Sequence, residues 1–75
     1  MKELVEHIAK SLVTNPAAVI VTERENGDSL DLTLKVAQED MGKVIGKQGR
    51  IAKAMRVVLK AAAAKEGKKC NLDID

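Results

Sequence analysis

The chain has 75 residues and is 45% apolar, but its apolar side chains are ten Ala, one Cys and 23 Ile, Leu, Val and Met, with no aromatic residue. That composition predicts a thin aliphatic core and excludes nucleic-acid modules that stack bases on Phe, Tyr or Trp; a single Cys70 excludes an internal disulfide and, with His7 the only histidine, a zinc cluster. The net charge of +2 conceals a segregation, with four basic and eight acidic side chains in residues 1–40, nine basic and one acidic in 41–69, and two more acidic in 70–75.

Such one-sidedness points to an anionic partner for the later half or, in the plainer alternative, to a solvated basic helix. A domain of this size buries only about 60% of its unfolded surface, so a dimer interface would supplement the core. The N-terminal Met1-Lys2-Glu3-Leu4-Val5-Glu6-His7 is interrupted by carboxylates, unlike a signal peptide, and no apolar run approaches the ~20 residues of a bilayer span. A cytoplasmic protein is expected.

Leu4, Val5, Ile8, Leu12 and Val13 recur at helical spacing, which predicts a first helix ended at Asn15-Pro16, because the residue before proline is pushed out of the α region. His7 falls on it as a surface side chain, with no second ligand or nucleophile near it in sequence. Val19-Ile20-Val21-Thr22 is a β-branched run, and Leu30, Leu32, Leu34 and Val36 alternate with Asp31, Thr33 and Lys35 as in a half-buried strand. Asn26-Gly27 between them predicts an antiparallel hairpin, since both residues tolerate positive φ. Glu23, Glu25, Asp28 and Asp31 read as the solvated polarity of a hairpin tip rather than a carboxylate site.

Gln38-Glu39-Asp40 places carboxylates at the start of a short helix, where they suit its dipole, and Met41, Val44 and Ile45 supply its apolar face. Gly46-Lys47-Gln48-Gly49 breaks it. A long helix is expected from about Arg50 to Glu66, with Ile51, Met55, Val58, Leu59 and Ala62 on one side and Lys53, Arg56 and Lys60 opposite. Gly67 is its expected C-terminal cap, and Cys70, Leu72 and Ile74 alternate with Lys69, Asn71 and Asp73 as a last strand, Cys70 being a small core residue rather than a nucleophile. The order helix, strand, strand, helix, helix, strand predicts an α+β fold. Its three-stranded mixed sheet has the first strand antiparallel and the third parallel to the second, with helices on one face and the other face open or used for contacts.

The chemistry concentrates in Gly42-Lys43-Val44-Ile45-Gly46-Lys47-Gln48-Gly49-Arg50. A nucleotide-binding P-loop fails on spacing: Gly42 and Gly46 enclose three residues rather than four, and Gln48 stands where Ser or Thr should reach magnesium. Two glycines separated by two residues, at the start of a helix, instead let a turn expose backbone amides to phosphate oxygens without an intervening Cβ. Lys47 at the tip, flanked by Lys43 and Arg50, supplies counter-charge, and Lys53 and Arg56 extend a cationic track along the helix. Glycines can also serve only to turn the chain, so the pattern draws its force from context: Val-Ile before it, a helix on each side, and lysines around it.

With these residues the sequence resembles a K-homology (KH) domain, whose GxxG loop clamps single-stranded RNA backbone. A helix and strand ahead of a strand, helix, helix, strand core is similar to the type II form. The run Val44-Ile45-Gly46-Lys47-Gln48-Gly49-Arg50-Ile51-Ala52-Lys53-Ala54-Met55-Arg56 narrows the resemblance to the small bacterial KhpA (YlqC) family, over essentially the whole chain, so residues 1–75 are expected to form one minimal type II KH domain. One departure from the broader KH pattern is Ala52 at the third position after the second glycine, often Ile, with Ile51 one place earlier.

The resemblance implies that Gly46, Lys47, Gln48 and Gly49 bind RNA backbone, and that Ile45 and neighbouring aliphatic side chains line a shallow groove for about four bases. It also implies an RNA chaperone or post-transcriptional regulator, without cofactor, that dimerises or pairs with a larger KH-domain protein, KhpB. A different reading, a protein-interaction module with weak RNA affinity of its own, draws on Ala61 to Ala64, which leave room for another helix or simply favour helix formation. An enzyme has no positive case: no nucleophile lies beside a base, and no ligand cluster stands out.

Overall fold

The alternation of Leu30, Leu32 and Leu34 with Asp31 and Thr33 puts three leucines on one face of a strand, and the fold is assembled on that face. The computed structural model describes residues 1–75. Its elements are α1 (Lys2–Leu12), β1 (Ile20–Asn26), β2 (Ser29–Lys35), α2 (Met41–Ile45), α3 (Arg50–Ala64) and β3 (Lys69–Ile74). Single turns of 3-10 helix stand at Pro16–Ala18, Gln38–Asp40 and Lys47–Gly49. The sheet order is β1-β2-β3, with β1 antiparallel and β3 parallel to β2, as the element order predicts.

The three leucines of β2 meet Val5 and Ala9 of α1, Val44 of α2, Met55, Leu59 and Ala63 of α3, and Cys70 and Leu72 of β3 in one aliphatic core. Burial pushes the Cys70 thiol pKa up, in keeping with a packed side chain. The opposite face of the sheet is polar rather than a second apolar surface: Asn71 Nδ2 donates to Asp31 Oδ1 at 3.0 Å, and Lys35 lies 3.7 Å from Asp75. Ile20, 54% exposed, is its apolar exception. No helix is long and apolar enough to cross a membrane.

Several boundaries differ from the expectation, each for a local reason. Helix α1 stops at Leu12 rather than at Asn15, with Val13 already extended. The Thr14 and Asn15 amides, which further helix would have used, donate to the carboxylate of Asp40. Strand β1 runs past its β-branched run to Asn26, because its ladder with β2 continues out to the pair Asn26–Ser29. The two-residue turn is therefore Gly27-Asp28 rather than Asn26-Gly27, with positive φ at Gly27 (62°), the arrangement of a II′ hairpin.

Helix α3 ends at Ala64, and Gly67 (φ 70°) closes it as expected: Lys68 N–H donates to Ala63 O at 2.9 Å and Gly67 N–H to Ala64 O at 3.0 Å, a Schellman pair. Its buried stripe is Ala52, Met55, Leu59 and Ala63, turned about one residue from the predicted set. Ala52 and Ala63 are small enough for the helix to lie close on the sheet, and Val58 is left 47% exposed.

Candidate nucleic-acid interface

The glycine loop starts from a very short helix. Helix α2 has five residues and one buried side chain, Val44, with Met41 and Ile45 packed against the core edge. Gly46 then leaves it at φ 78°, ψ 171°, a region open essentially to glycine alone. A Cβ at Gly46 would also stand 2.6 Å from Ile51 Cγ1. Ile51 therefore packs directly on the loop, which accounts for an isoleucine at that position with Ala52 turned into the core.

Gly49, by contrast, adopts the left-handed conformation (φ 73°, ψ 15°), and nothing lies within 4 Å of the point a Cβ would occupy there. Gln48 is left-handed too (φ 58°, ψ 25°) without being glycine, a strain of roughly 1–2 kcal/mol held at the loop tip. Gly49 N–H donates to Gly46 O at 3.1 Å, and Arg50 N–H to Lys47 O, so these two amides are used inside the turn. Lys47 and Gln48 project into solvent, and Arg50 Nη2 donates to Gln48 Oε1 at 3.3 Å.

The remaining predicted residues divide between the two flanks of α3. Lys53 and Arg56 are exposed on the flank beside β3, where Arg56 Nε donates to Leu72 O at 3.1 Å. Arg50 lies toward the other flank, at an apolar depression between α1 and α3 lined by Ile8, Leu12, Ile51, Ala54, Met55 and Val58. The side of α3 directly away from the sheet is not the basic one that was expected. It carries the exposed Ala54, Val57, Val58 and Ala61, because the one-residue turn of the buried stripe swings the cations to the flank.

Lys43 Nζ lies 3.8 Å from Asp40 Oδ1. Asp40 itself has no exposed surface, and hydrogen bonds from the Thr14 amide and hydroxyl and the Asn15 amide, with the nearby Lys43 charge, hold its carboxyl pKa below the usual aspartate value against the opposing effect of burial. Its position before a short helix reads as dipole compensation; the tie to residues 25 and 26 positions away left no signal in the sequence.

Lys60, already expected beside Lys53 and Arg56, and two lysines that were not expected, Lys68 and Lys69, extend the cationic flank. Lys60 of α3, Lys68 just before β3 and Lys69 at its start line one shallow pocket with Cys70 and Asn71. The signal for Lys68 and Lys69 was the short connection after Gly67, which folds β3 back along α3. Lys68 is partly committed: its Nζ stands 2.9 Å from Glu25 Oε1, and that hydrogen bond raises its pKa. Strand β3 is at the sheet edge, and Lys69 N–H and Asp75 N–H donate toward β2, to Asp28 O and Leu34 O. The alternate residues Cys70, Leu72 and Ile74 thus turn their backbone groups to the open edge, where Leu72 O meets Arg56. A cationic helix flank beside an open strand edge suits an anionic chain that also offers hydrogen-bonding groups. No group of three His, Cys, Asp or Glu side chains is arranged to hold a metal ion.

The family described as KhpA/KhpB, KH domain, matches residues 2–74. The RNA-binding protein KhpA of Clostridium perfringens is 65% identical over 99% of this chain and 99% of its own length. That of Clostridium acetobutylicum is 62% identical with the same coverage, and that of Listeria monocytogenes is 50% identical over 99% of this chain and 97% of its own. No solved structure matches the chain.

Proposed function

Because the chain belongs to the KhpA/KhpB family of KH domains, we propose that it binds single-stranded RNA, holding the backbone with Gly46, Lys47, Gln48 and Gly49 and laying the strand along the flank of Lys53 and Arg56. The family is one of RNA-binding proteins, not of enzymes. The observation that carries the reading is the loop itself: a glycine-only conformation at Gly46 and a strained Gln48 hold Lys47 and Gln48 out in solvent at the head of a cationic helix flank. Strain kept at an exposed tip suits a ligand clamp. Lys43 supplies charge behind the loop, Ile45 an aliphatic floor, and Arg50 fixes the Gln48 side chain. Without aromatic platforms, base contacts are weak and selectivity is modest.

Residues 1–75 act as one KH domain in this reading, in the cytoplasm, as an RNA chaperone or post-transcriptional regulator. Fluorescence anisotropy of labelled single-stranded RNA tests it with the wild type and the Lys47→Asp, Gln48→Asp double variant, both checked by circular dichroism. Binding that is lost in the folded double variant is expected; unchanged affinity overturns the loop assignment.

A second reading concerns protein contact and is compatible with the first. Ala54, Val57, Val58 and Ala61 follow one another at i, i+3, i+4 and i+7 on the outward side of α3, and Val57 is 66% exposed. A second copy of the chain, or the larger KH-domain protein KhpB, would cover this stripe. Sedimentation at micromolar concentration, with and without RNA, separates a protein dimer from an RNA-bridged one. Val57→Lys is expected to shift the former to monomer, and a monomeric wild type overturns self-association.

A further inference from the structure

Asp40 is the one charged side chain buried in the molecule, and both its oxygens are engaged far along the chain. Oδ1 accepts from Thr14 N–H at 3.0 Å and from the Thr14 hydroxyl at 2.8 Å, and Oδ2 from Asn15 N–H at 3.1 Å. The carboxylate stands where a helix cap would, yet makes no cap bond to its own helix. The segment it grips instead leads straight into Pro16 and the turn Pro16–Ala18, where proline restricts both its own backbone and that of Asn15. On the other side, α2 is too short to persist unaided and buries only Val44, and Gly46 follows at once.

A tilt of α2 would thus move Lys43 and the whole loop, and charge-assisted hydrogen bonds to a stiff anchor oppose that tilt. We propose that Asp40 is a positioning residue for RNA binding, clasping the connection between α1 and β1 so that α2 presents Lys43 and Gly46 to Gly49 in their binding arrangement. This inference rests on the RNA-binding reading above. The clasp lies outside the aliphatic core under β2, so its loss loosens α2 and the loop before it loosens the sheet.

The charge at Asp40 makes the test directional. Removing a negative group 3.8 Å from Lys43 would, by Coulomb attraction alone, strengthen binding to an anion. Asp40→Asn keeps the shape but sets an amide NH2 against the N–H of Thr14 or Asn15, so weaker binding is the mark of lost positioning. If the arrangement that binds RNA is then populated about 10–30% of the time, affinity for a labelled single-stranded RNA falls about 3- to 10-fold. The measurement is made where circular dichroism shows full folding. Amide hydrogen exchange without RNA is expected to quicken at residues 43–50 and to stay unchanged at Leu30, Leu32 and Leu34.

Thr14→Val, which removes only the hydroxyl, should move both readouts the same way by less, and Thr14→Ser should restore them. This pair carries the test if Asp40→Asn does not fold. Unchanged or tighter binding in the folded variant, or exchange quickened equally in β2, overturns the inference alone. A wild type that binds no RNA overturns the RNA-binding reading first.

Discussion

The two loop glycines are not equivalent, and Gly46→Ala beside Gly49→Ala measures the difference. At Gly46 an alanine would occupy a backbone region that costs about 1–3 kcal/mol. Its Cβ would also meet Ile51 Cγ1 at 2.6 Å and Cβ and Cδ1 at 2.9 Å, so a half-buried side chain must move. Overpacking of that kind adds about 1–3 kcal/mol, and the stiffer unfolded chain returns about 0.4–1 kcal/mol. The net loss is about 2–5 kcal/mol, against a total stability of about 4–11 kcal/mol for a chain of this length. At Gly49 the added Cβ meets nothing, and the left-handed backbone alone costs about 1–2 kcal/mol before the same return.

Thermal unfolding for the melting points and urea unfolding for the free energies, both followed by far-ultraviolet circular dichroism, are the assays, since the chain has no Trp or Tyr to report by fluorescence. A melting point lowered by at least ~10 °C is expected for Gly46→Ala and by less than ~10 °C for Gly49→Ala. The close approach can be tested separately, because Ile51→Ala removes the atoms the new Cβ would strike. A double-mutant cycle between positions 46 and 51 should then give a favourable coupling of about 1–3 kcal/mol. Equal losses at the two glycines, with no coupling to Ile51, would refute the loop geometry.

Other consequences are as direct. With Lys43, Lys47, Lys53 and Arg56 each meeting a phosphate, RNA affinity should fall roughly 50-fold between 50 and 200 mM salt, a slope of about −3 on logarithmic axes; a slope near zero would remove the cationic track from the site. Gln48→Gly relieves left-handed strain and should raise the melting point by about 2–5 °C, and a lowered one would show that the tip is not strained. The folded pKa of Asp40 lies below its unfolded value of about 3.9, so the stabilisation it supplies is present above that pH and is lost as pH falls through the folded pKa. Acid titration should therefore show a loss of stability below about pH 4 that is smaller in Asp40→Asn, and identical acid profiles would contradict the buried clasp.

What could be read from the sequence, and what could not, follows the range of the interactions. The existence of the strands, the glycine break and the Gly67 cap all rest on local rules of period and backbone freedom and are found as those rules predict, whereas β1 and its turn extend further because the ladder with β2 continues to the pair Asn26–Ser29. The inequivalence of Gly46 and Gly49 depends on Ile51 returning against the loop, the end of α1 on a carboxylate beyond β2, and the grouping of Lys68 and Lys69 with Lys60 on β3 folding back along α3. Helical periodicity identified α3 but misjudged its rotation, because Ala52 and Ala63 bear on the sheet through their smallness, which a ranking by hydrophobicity passes over in favour of Ile51 and Val58. Asp40 is the sharpest case: a carboxylate before a helix has an adequate local explanation, and only the packed fold reveals a different partner.

The rotation of α3 has a consequence for how the two proposed activities coexist. The helix carries three distinct faces: Ala52, Met55, Leu59 and Ala63 toward the sheet, Lys53, Arg56 and Lys60 beside the edge of β3, and Ala54, Val57, Val58 and Ala61 outward. Had the cations stood opposite the buried stripe, a partner helix covering α3 would have buried them, and RNA and protein would compete. With the cations on the flank, a second copy can cover the outward face and leave both basic flanks open to RNA. Two weak sites on one particle then bind a long strand with a higher effective concentration than either alone. A Val57→Lys monomer should accordingly keep its affinity for an RNA that fills one groove while losing it for one long enough to bridge two, whereas equal losses on both lengths would mean that the outward face belongs to the RNA site itself.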